Sequence, residues 1–208
     1  MRLALLAFAV LAFAIGCGGS DGESAGTTTA TATDGECASV DAPEPRDPGS
    51  NDAPTAPLED GKTYALTFDT NCGSFTVTLD TELAPNTAAS LVALAKAGYF
   101  DDTIFHRVVP GFVIQGGDPT QSGSGGPGYS TVDVPPSDST YAKGTVAMAK
   151  SPSEAPGTAG SQFFVVTADE CSWLDGKHTV FGQVREGQDV IDAIQQGDKL
   201  NSVTIAEG

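Results

Sequence analysis

The sequence predicts a mainly β domain, an antiparallel barrel or sandwich, and three observations carry that expectation. Short β-type runs recur through residues 61–208, Gly- and Pro-rich loops separate them, and only two stretches have helical spacing. The helices do not alternate with the strands as a parallel α/β sheet would require.

The elements follow in order. Residues 63–69 and 74–80 are β-rich runs around Thr70-Asn71-Cys72-Gly73, a turn signal, and should pair as an antiparallel hairpin. Residues 85–97 carry Ala, Leu and Val at helical spacing behind the start signals Pro85 and Asn86, and the run stops before Gly98. Further strands are expected at 103–109, 112–115, 144–148, 162–167 and 179–184. A second helix fits 188–195, and 202–206 is a closing strand. Phe100, Phe163 and Phe181 are expected in the core.

What precedes this domain has a different composition. Met1 and Arg2 form a small basic start, and residues 3–15 are an unbroken run of 13 Leu, Ala, Phe, Val and Ile residues. A membrane-spanning helix needs about 20 residues, so the run suits a signal peptide, residues 1–16, better than a span. Ala14-Ile15-Gly16-Cys17 resembles the lipobox of bacterial lipoproteins, with Ala14 where Leu is more usual. That resemblance implies a lipid on Cys17, an extracytoplasmic location and a membrane anchor. Residues 18–60 then hold ten acids, one base (Arg46) and five prolines, with Val40 and Leu58 as the only large aliphatic side chains. Such a stretch buries too little apolar surface to offset its conformational entropy, so residues 17–60 are expected to be a disordered acidic tether spanning ~35 Å.

Charge and missing signatures exclude several functions. The chain has 27 acidic and 10 basic residues, a net charge of -17, so it lacks the clustered Lys and Arg that nucleic acid demands. Gly123-Ser124-Gly125-Gly126-Pro127-Gly128 matches a dinucleotide fingerprint by letter, yet prolines rather than a helix follow it, so it is a surface loop. Residues 61–208 contain no Walker A loop and no G-x-S-x-G elbow, and His106 and His178, without a C-x-x-C pair, make no zinc signature. No metal or cofactor is expected.

Three blocks remain. They are Phe105-His106-Arg107-Val108-Val109-Pro110-Gly111-Phe112-Val113-Ile114-Gln115-Gly116-Gly117-Asp118, then Gly160-Ser161-Gln162-Phe163-Phe164-Val165, then Trp173-Leu174-Asp175-Gly176-Lys177-His178-Thr179-Val180-Phe181-Gly182. In this order they resemble the cyclophilin family of peptidyl-prolyl cis-trans isomerases, and the resemblance runs from about Tyr64 to the C-terminus. It implies a closed eight-stranded antiparallel β-barrel capped by two α-helices. It also implies that Arg107 is the catalytic arginine and Gln115 its orienting partner. Phe112, Val113, Phe164, Leu174 and His178 are then the proline pocket, while Ala149 and Gln162 contact the substrate backbone. Trp173 matches the rim tryptophan associated with cyclosporin. In two places the sequence departs from the family pattern. Val113 stands where many members have Met, and Lys150 where Asn is usual, ahead of a lengthened loop at 151–159.

The chemistry fits these residue types. Twisting an X-Pro amide crosses a barrier of ~18–20 kcal/mol without breaking a bond, so neither nucleophile nor metal is needed. An apolar pocket for the proline ring and a fixed cationic donor for the twisted amide suffice. His106 receives no chemical role, and Asp175 and Lys177 are turn and solvent-face residues. The expected partners are proline-containing polypeptides and cyclosporin, with the domain acting as a monomer on exported proteins. The alternative is the same pocket in a proline-peptide-binding chaperone or adaptor without turnover, which the presence of Arg107, Gln115 and Gln162 disfavours, and a third class, a small-ligand barrel with an enclosed cavity, is disfavoured by the full motif set.

With Cys17 assigned to lipid, Cys37, Cys72 and Cys171 remain, and an oxidising compartment makes one disulfide and one free thiol the simplest count. Cys37 with Cys72 is the preferred pairing, at a nominal ~4 kcal/mol of denatured-state entropy. Cys72 with Cys171 is the alternative.

Overall fold

The structure is a computed structural model that describes residues 37–174 and 176–208. The signal peptide, the Cys17 lipid site, residues 18–36 of the tether and Asp175 lie outside the described residues. Strands β1 (Tyr64–Thr70) and β2 (Gly73–Leu79) form the hairpin predicted around Asn71 and Cys72. Helix α1 (Pro85–Lys96) follows, then β3 (Thr103–Ile104), β4 (Arg107–Val109), β5 (Val113–Gly116), β6 (Thr131–Val132), β7 (Thr145–Met148), β8 (Thr158–Ala159) and β9 (Phe163–Val166). A 3-10 turn (Ser172–Leu174), β10 (Val180–Glu186), α2 (Gln188–Ala193) and β11 (Lys199–Glu207) complete the domain. Among the described residues no helix is long and apolar enough to cross a membrane.

Nine strands form one antiparallel sheet in the order β3-β11-β1-β2-β10-β7-β9-β5-β4, and β6 pairs with β8 in a separate ribbon. The run 103–109, expected as one strand, is broken at Phe105 and His106. Its first half pairs with β11 at one edge of the sheet and its second half with β5 at the other. Counted as a single bent strand it gives the expected eight. The two edges are thus one piece of chain, although no ladder of hydrogen bonds joins β3 to β4.

Period-two alternation builds the interior. Tyr64, Leu66 and Phe68 of β1 and Phe75, Val77 and Leu79 of β2 face inward and are buried. Phe68 and Phe75 sit opposite each other in register with their rings stacked 4.7 Å apart. Phe163 tilts against Phe68 and meets Phe100 and Phe105 edge-on. Aromatic rings therefore fill the space that a small-ligand barrel would leave open. Each such fully buried ring contributes about 1.5–3 kcal/mol by removal from water.

Both helices add side chains to this core: Ala88, Leu91, Val92 and Ala95 from α1, and Ile191 from α2. Helix α1 begins with Pro at its first position and has no cap from its own N-terminal side chains. Asp133, far along the chain, supplies one. Its carboxylate accepts from the Thr87 amide (2.7 Å), the Asn86 amide (3.3 Å) and the Thr87 hydroxyl (2.7 Å). At the other end Gly98 takes a left-handed conformation, with its amide on the Ala95 carbonyl and that of Tyr99 on the Leu94 carbonyl. That is a Schellman termination, which glycine adopts without strain.

Residues 37–60 differ from the disordered tether expected of them. They carry no regular secondary structure, yet they lie against the domain at intervals. Cys37 is disulfide-bonded to Cys72, Ala38 exchanges hydrogen bonds with Asn71, and Leu58 packs on the core. Composition measures apolar area, whereas a covalent link and a few polar contacts hold this segment.

Candidate functional site

The site occupies the face of the sheet opposite the aromatic core. Register aligns Arg107 of β4 with Gln115 of β5, Gln115 with Phe164 of β9, and Phe164 with Ala147 of β7, so four adjacent strands present one row of side chains. In β9, Phe163 and Val165 point into the main core, while Phe164 and Val166 join Val113, Tyr141, Ala147 and Cys171 in a second cluster beneath the site. Phe112 lies in the turn before β5 rather than on the strand, its amide bonded to the Val109 carbonyl at 3.0 Å. The three-residue spacing from Gln115 therefore places no constraint on its face.

Arg107, Phe112, Val113, Gln115, Ala149, Lys150, Phe164, Leu174 and His178 line a cleft of about 300 Å³. Arg107 is exposed, and its Nη1 donates to the Gln115 Oε1 at 3.2 Å. The Gln115 Nε2 donates to the Gln162 Oε1 at 3.1 Å, and the Gln162 Nε2 to the Gly125 carbonyl at 2.9 Å. The guanidinium carbon also stands 5.8 Å from the centre of the Phe112 ring. This relay fixes a permanent charge at the mouth of an apolar cleft.

His178 closes the far wall, its ring edge-on to Phe164 at 5.3 Å and its Nδ1 3.0 Å from the Met148 carbonyl. Burial holds it below the ordinary imidazole value, the Met148 carbonyl works against that, and Lys150 and Lys177 reinforce it. A neutral ring with the proton on Nδ1 satisfies the carbonyl and presents a largely apolar wall. Trp173 is 61% exposed at the rim with its ring 5.5 Å from that of Phe112, and Leu174 follows it in the 3-10 turn.

Of the sequence-predicted residues, Gln162 and Trp173 do not line this cleft. Gln162 lies in a second, adjoining one of about 630 Å³, bounded by Gly123–Ser130, Lys150, Ser151, Glu154 and Gly160–Gln162. The Ala149 amide is given to the Gln162 carbonyl at 2.9 Å. Lys150 borders both clefts, and its ammonium is bonded to the Ser151 and Glu154 carbonyls at 3.1 and 2.9 Å. Lys150 thus braces the loop that follows it.

The glycine-rich loop was legible as a surface loop but not as a cleft wall. Asp118, wholly buried, gathers the amides of Thr120 (2.8 Å), Gly123 (2.7 Å) and Gly125 (3.1 Å) and the Thr120 hydroxyl (2.7 Å). The amides a phosphate would need are engaged by the protein's own carboxylate. Burial alone would raise the Asp118 value, but the Thr120 hydroxyl and these amides outweigh it and hold it low. A Cβ on Gly125 would fall 2.0 Å from the Asp118 Oδ1, so this position admits only glycine. The signal in the sequence is the acid five residues ahead of Gly123. His106 sits behind the site with both ring nitrogens buried, and burial holds it below the ordinary imidazole value against the opposing pull of Asp118 and the Gln162 side chain.

Known proteins resemble this chain in sequence and fold. The family model described as "Cyclophilin type peptidyl-prolyl cis-trans isomerase/CLD" matches residues 65–207. The chain is 45% identical over 130 residues to a peptidyl-prolyl cis-trans isomerase-like 1 of Aspergillus fumigatus, spanning 61% of this chain and 78% of that one. It is 40% identical over 148 residues to a peptidyl-prolyl cis-trans isomerase of Helicobacter pylori, 70% of this chain and 88% of the relative. A crystal structure of a Cryptosporidium parvum cyclophilin type isomerase superposes with a TM-score of 0.62 at 28% identity, over 69% of this chain and 98% of that one. A second structure of that protein, determined in the presence of the dipeptide Ala-Pro, gives 0.61.

Proposed function

The chain belongs to the cyclophilin-type peptidyl-prolyl cis-trans isomerases, and from that premise we propose that Arg107 drives X-Pro exchange and that the substrates are exported proteins. The observation that carries the first part is the relay from Arg107 through Gln115 and Gln162 to Gly125. As the amide twists, its nitrogen becomes pyramidal and regains a lone pair, to which an N–H of the guanidinium donates. Planar ground-state amide nitrogen offers no such acceptor, so the bond forms only near the transition state and lowers the barrier rather than tightening binding. Because Gln115 holds the fork in place beforehand, little reorganisation accompanies the step. Phe112, Val113, Phe164, Leu174 and neutral His178 take the proline ring, and their apolar surroundings strengthen the donated hydrogen bond.

Exchange spectroscopy on a short Ala-Pro peptide tests the assignment. Arg107→Ala is expected to lower kcat/KM by about 10²–10³-fold, the scale of one lost transition-state donor. Arg107→Lys, with charge but no planar fork, is expected to restore only part of it. A variant that binds the peptide and exchanges it at the wild-type rate overturns the arginine mechanism. A wild-type chain that binds without accelerating exchange supports a peptide-binding chaperone or adaptor instead.

The cellular setting rests on separate support: the apolar run at 3–15, the lipobox-like Ala14-Ile15-Gly16-Cys17 and the Cys37–Cys72 disulfide. They favour a domain, residues 61–208, held outside the cytoplasm by a lipid on Cys17, with residues 17–36 as the acidic link. Cyclosporin is expected to bind across Trp173 and Phe112. In cells fed a labelled fatty acid, the wild-type chain is expected to carry the label in the membrane fraction, whereas Cys17→Ala is unlabelled and soluble. Equal distribution of the two refutes the anchor.

A further inference from the structure

We propose that residues 37–60 form a strap that positions the glycine-rich wall of the substrate cleft, and that Arg46 is its central fixing point. The strap lies outside residues 65–207 matched by the family model, so nothing in the common domain accounts for it. Arg46 is the one base among the 43 residues from 18 to 60, and it is half-buried. Its Nη2 donates to the carbonyls of Gly98 (3.4 Å), Asp101 (3.1 Å) and Tyr99, in the turn that ends α1. Three carbonyls converging on one guanidinium make a seat that fits a cation and nothing else nearby in the acidic strap.

From this anchor the strap reaches the wall at both ends. The Arg46 amide donates to the Pro119 carbonyl at 3.0 Å, and the Gln121 Nε2 donates to the Pro43 carbonyl at 2.7 Å. Asn51 Nδ2 reaches the Pro127 carbonyl at 3.4 Å, on the other side of the glycine run. Between these points stands Gly125, whose carbonyl receives Gln162, and Gln162 leads through Gln115 to Arg107. The strap therefore holds the backbone on both sides of the glycine whose carbonyl starts the hydrogen-bond relay to the proposed catalytic arginine. Cys37–Cys72 and Leu58 hold the two ends of the strap. Arg46 and Gln121 are positioning residues, since neither lines a cleft.

The inference rests on the isomerase reading for its kinetic consequence, but peptide affinity tests it independently. In the full chain, Arg46→Ala removes the anchor. Gln121→Asn shortens the amide by one methylene and keeps a residue that tolerates the positive φ of 60° found there, so it releases the Pro43 contact with little risk to folding. Each is expected to weaken binding of an Ala-Pro peptide by about fivefold, the scale of one weakened hydrogen bond, and to raise KM in step while kcat at saturation is nearly unchanged. The side-chain amide resonances of Gln162 are expected to shift in both variants, and Arg46→Lys to recover part of the affinity. Unchanged affinity and unmoved Gln162 resonances in both variants overturn the proposal, whatever happens to the melting temperature, because the strap is then only a staple. Should the wild type bind the peptide without accelerating exchange, the isomerase mechanism fails, yet the affinities and resonances still decide the strap.

Discussion

His178 shows how one residue sets the working range of the site. Its folded value lies below the ordinary ~6.5 because burial opposes the charged form. As pH falls through about 6.5 the unfolded chain takes up the proton first, so the stability tied to His178 is whole above that pH and declines below it until the folded value is passed. The charged ring would also sit edge-on to Phe164 in an otherwise apolar cleft. Activity is therefore expected to be level through neutral pH and to fall below the ordinary imidazole range, following the His178 titration read by NMR. His178→Phe, which keeps the wall apolar, should flatten that acid limb, and a limb that persists in the variant assigns it to another group.

At the scale of elements, the clearest case is α1. Its start depends on Asp133, which lies 46 residues beyond Thr87. Asp133→Ala leaves the Thr87 amide and hydroxyl buried without their acceptor, and is expected to lower stability by about 2 kcal/mol in denaturant unfolding. Asp133→Asn, which retains an oxygen, should lose less, and equal losses would mean that charge rather than acceptance matters. The hairpin at Asn71-Cys72 and the stop at Gly98 were legible because each is a local signal: a turn tetrapeptide, a glycine after a periodic run. The two-residue strands β6 and β8 show no periodicity to detect, and the Asp133 cap links segments far apart in sequence. The break of 103–109 into two strands was equally invisible, since both halves are β-type and only the meeting of the sheet edges separates them. The residues of the 300 Å³ cleft were named from motif blocks, whereas the cleft wall at 123–128 and the seat of Arg46 depend on which carbonyls the fold brings near, and composition says nothing of that.

For the molecule as a whole, the Cys37–Cys72 bond joins the strap to the first hairpin across a separation of 35 residues. A closed loop of that length is associated with about 4 kcal/mol of lost denatured-state entropy. Reduction is expected to lower the midpoint of unfolding by an amount that Cys37→Ser reproduces, and an unchanged midpoint would show that the strap adds nothing to stability. Cys171 should stay silent to thiol reagents in the native state. It is wholly buried, and burial, aided by Glu170, raises its thiol above the ordinary value.

The junction at Phe105 and His106 has a further consequence. Its flanking edge strands are two and three residues long, and the same short piece of backbone turns from one to the other. An incoming extended polypeptide finds there no long row of unpaired amides and carbonyls on which to dock as an additional strand. Extended, unpaired chains are the usual seeds of β-aggregation. The bend that joins the sheet edges leaves the protein a poor template for their self-assembly.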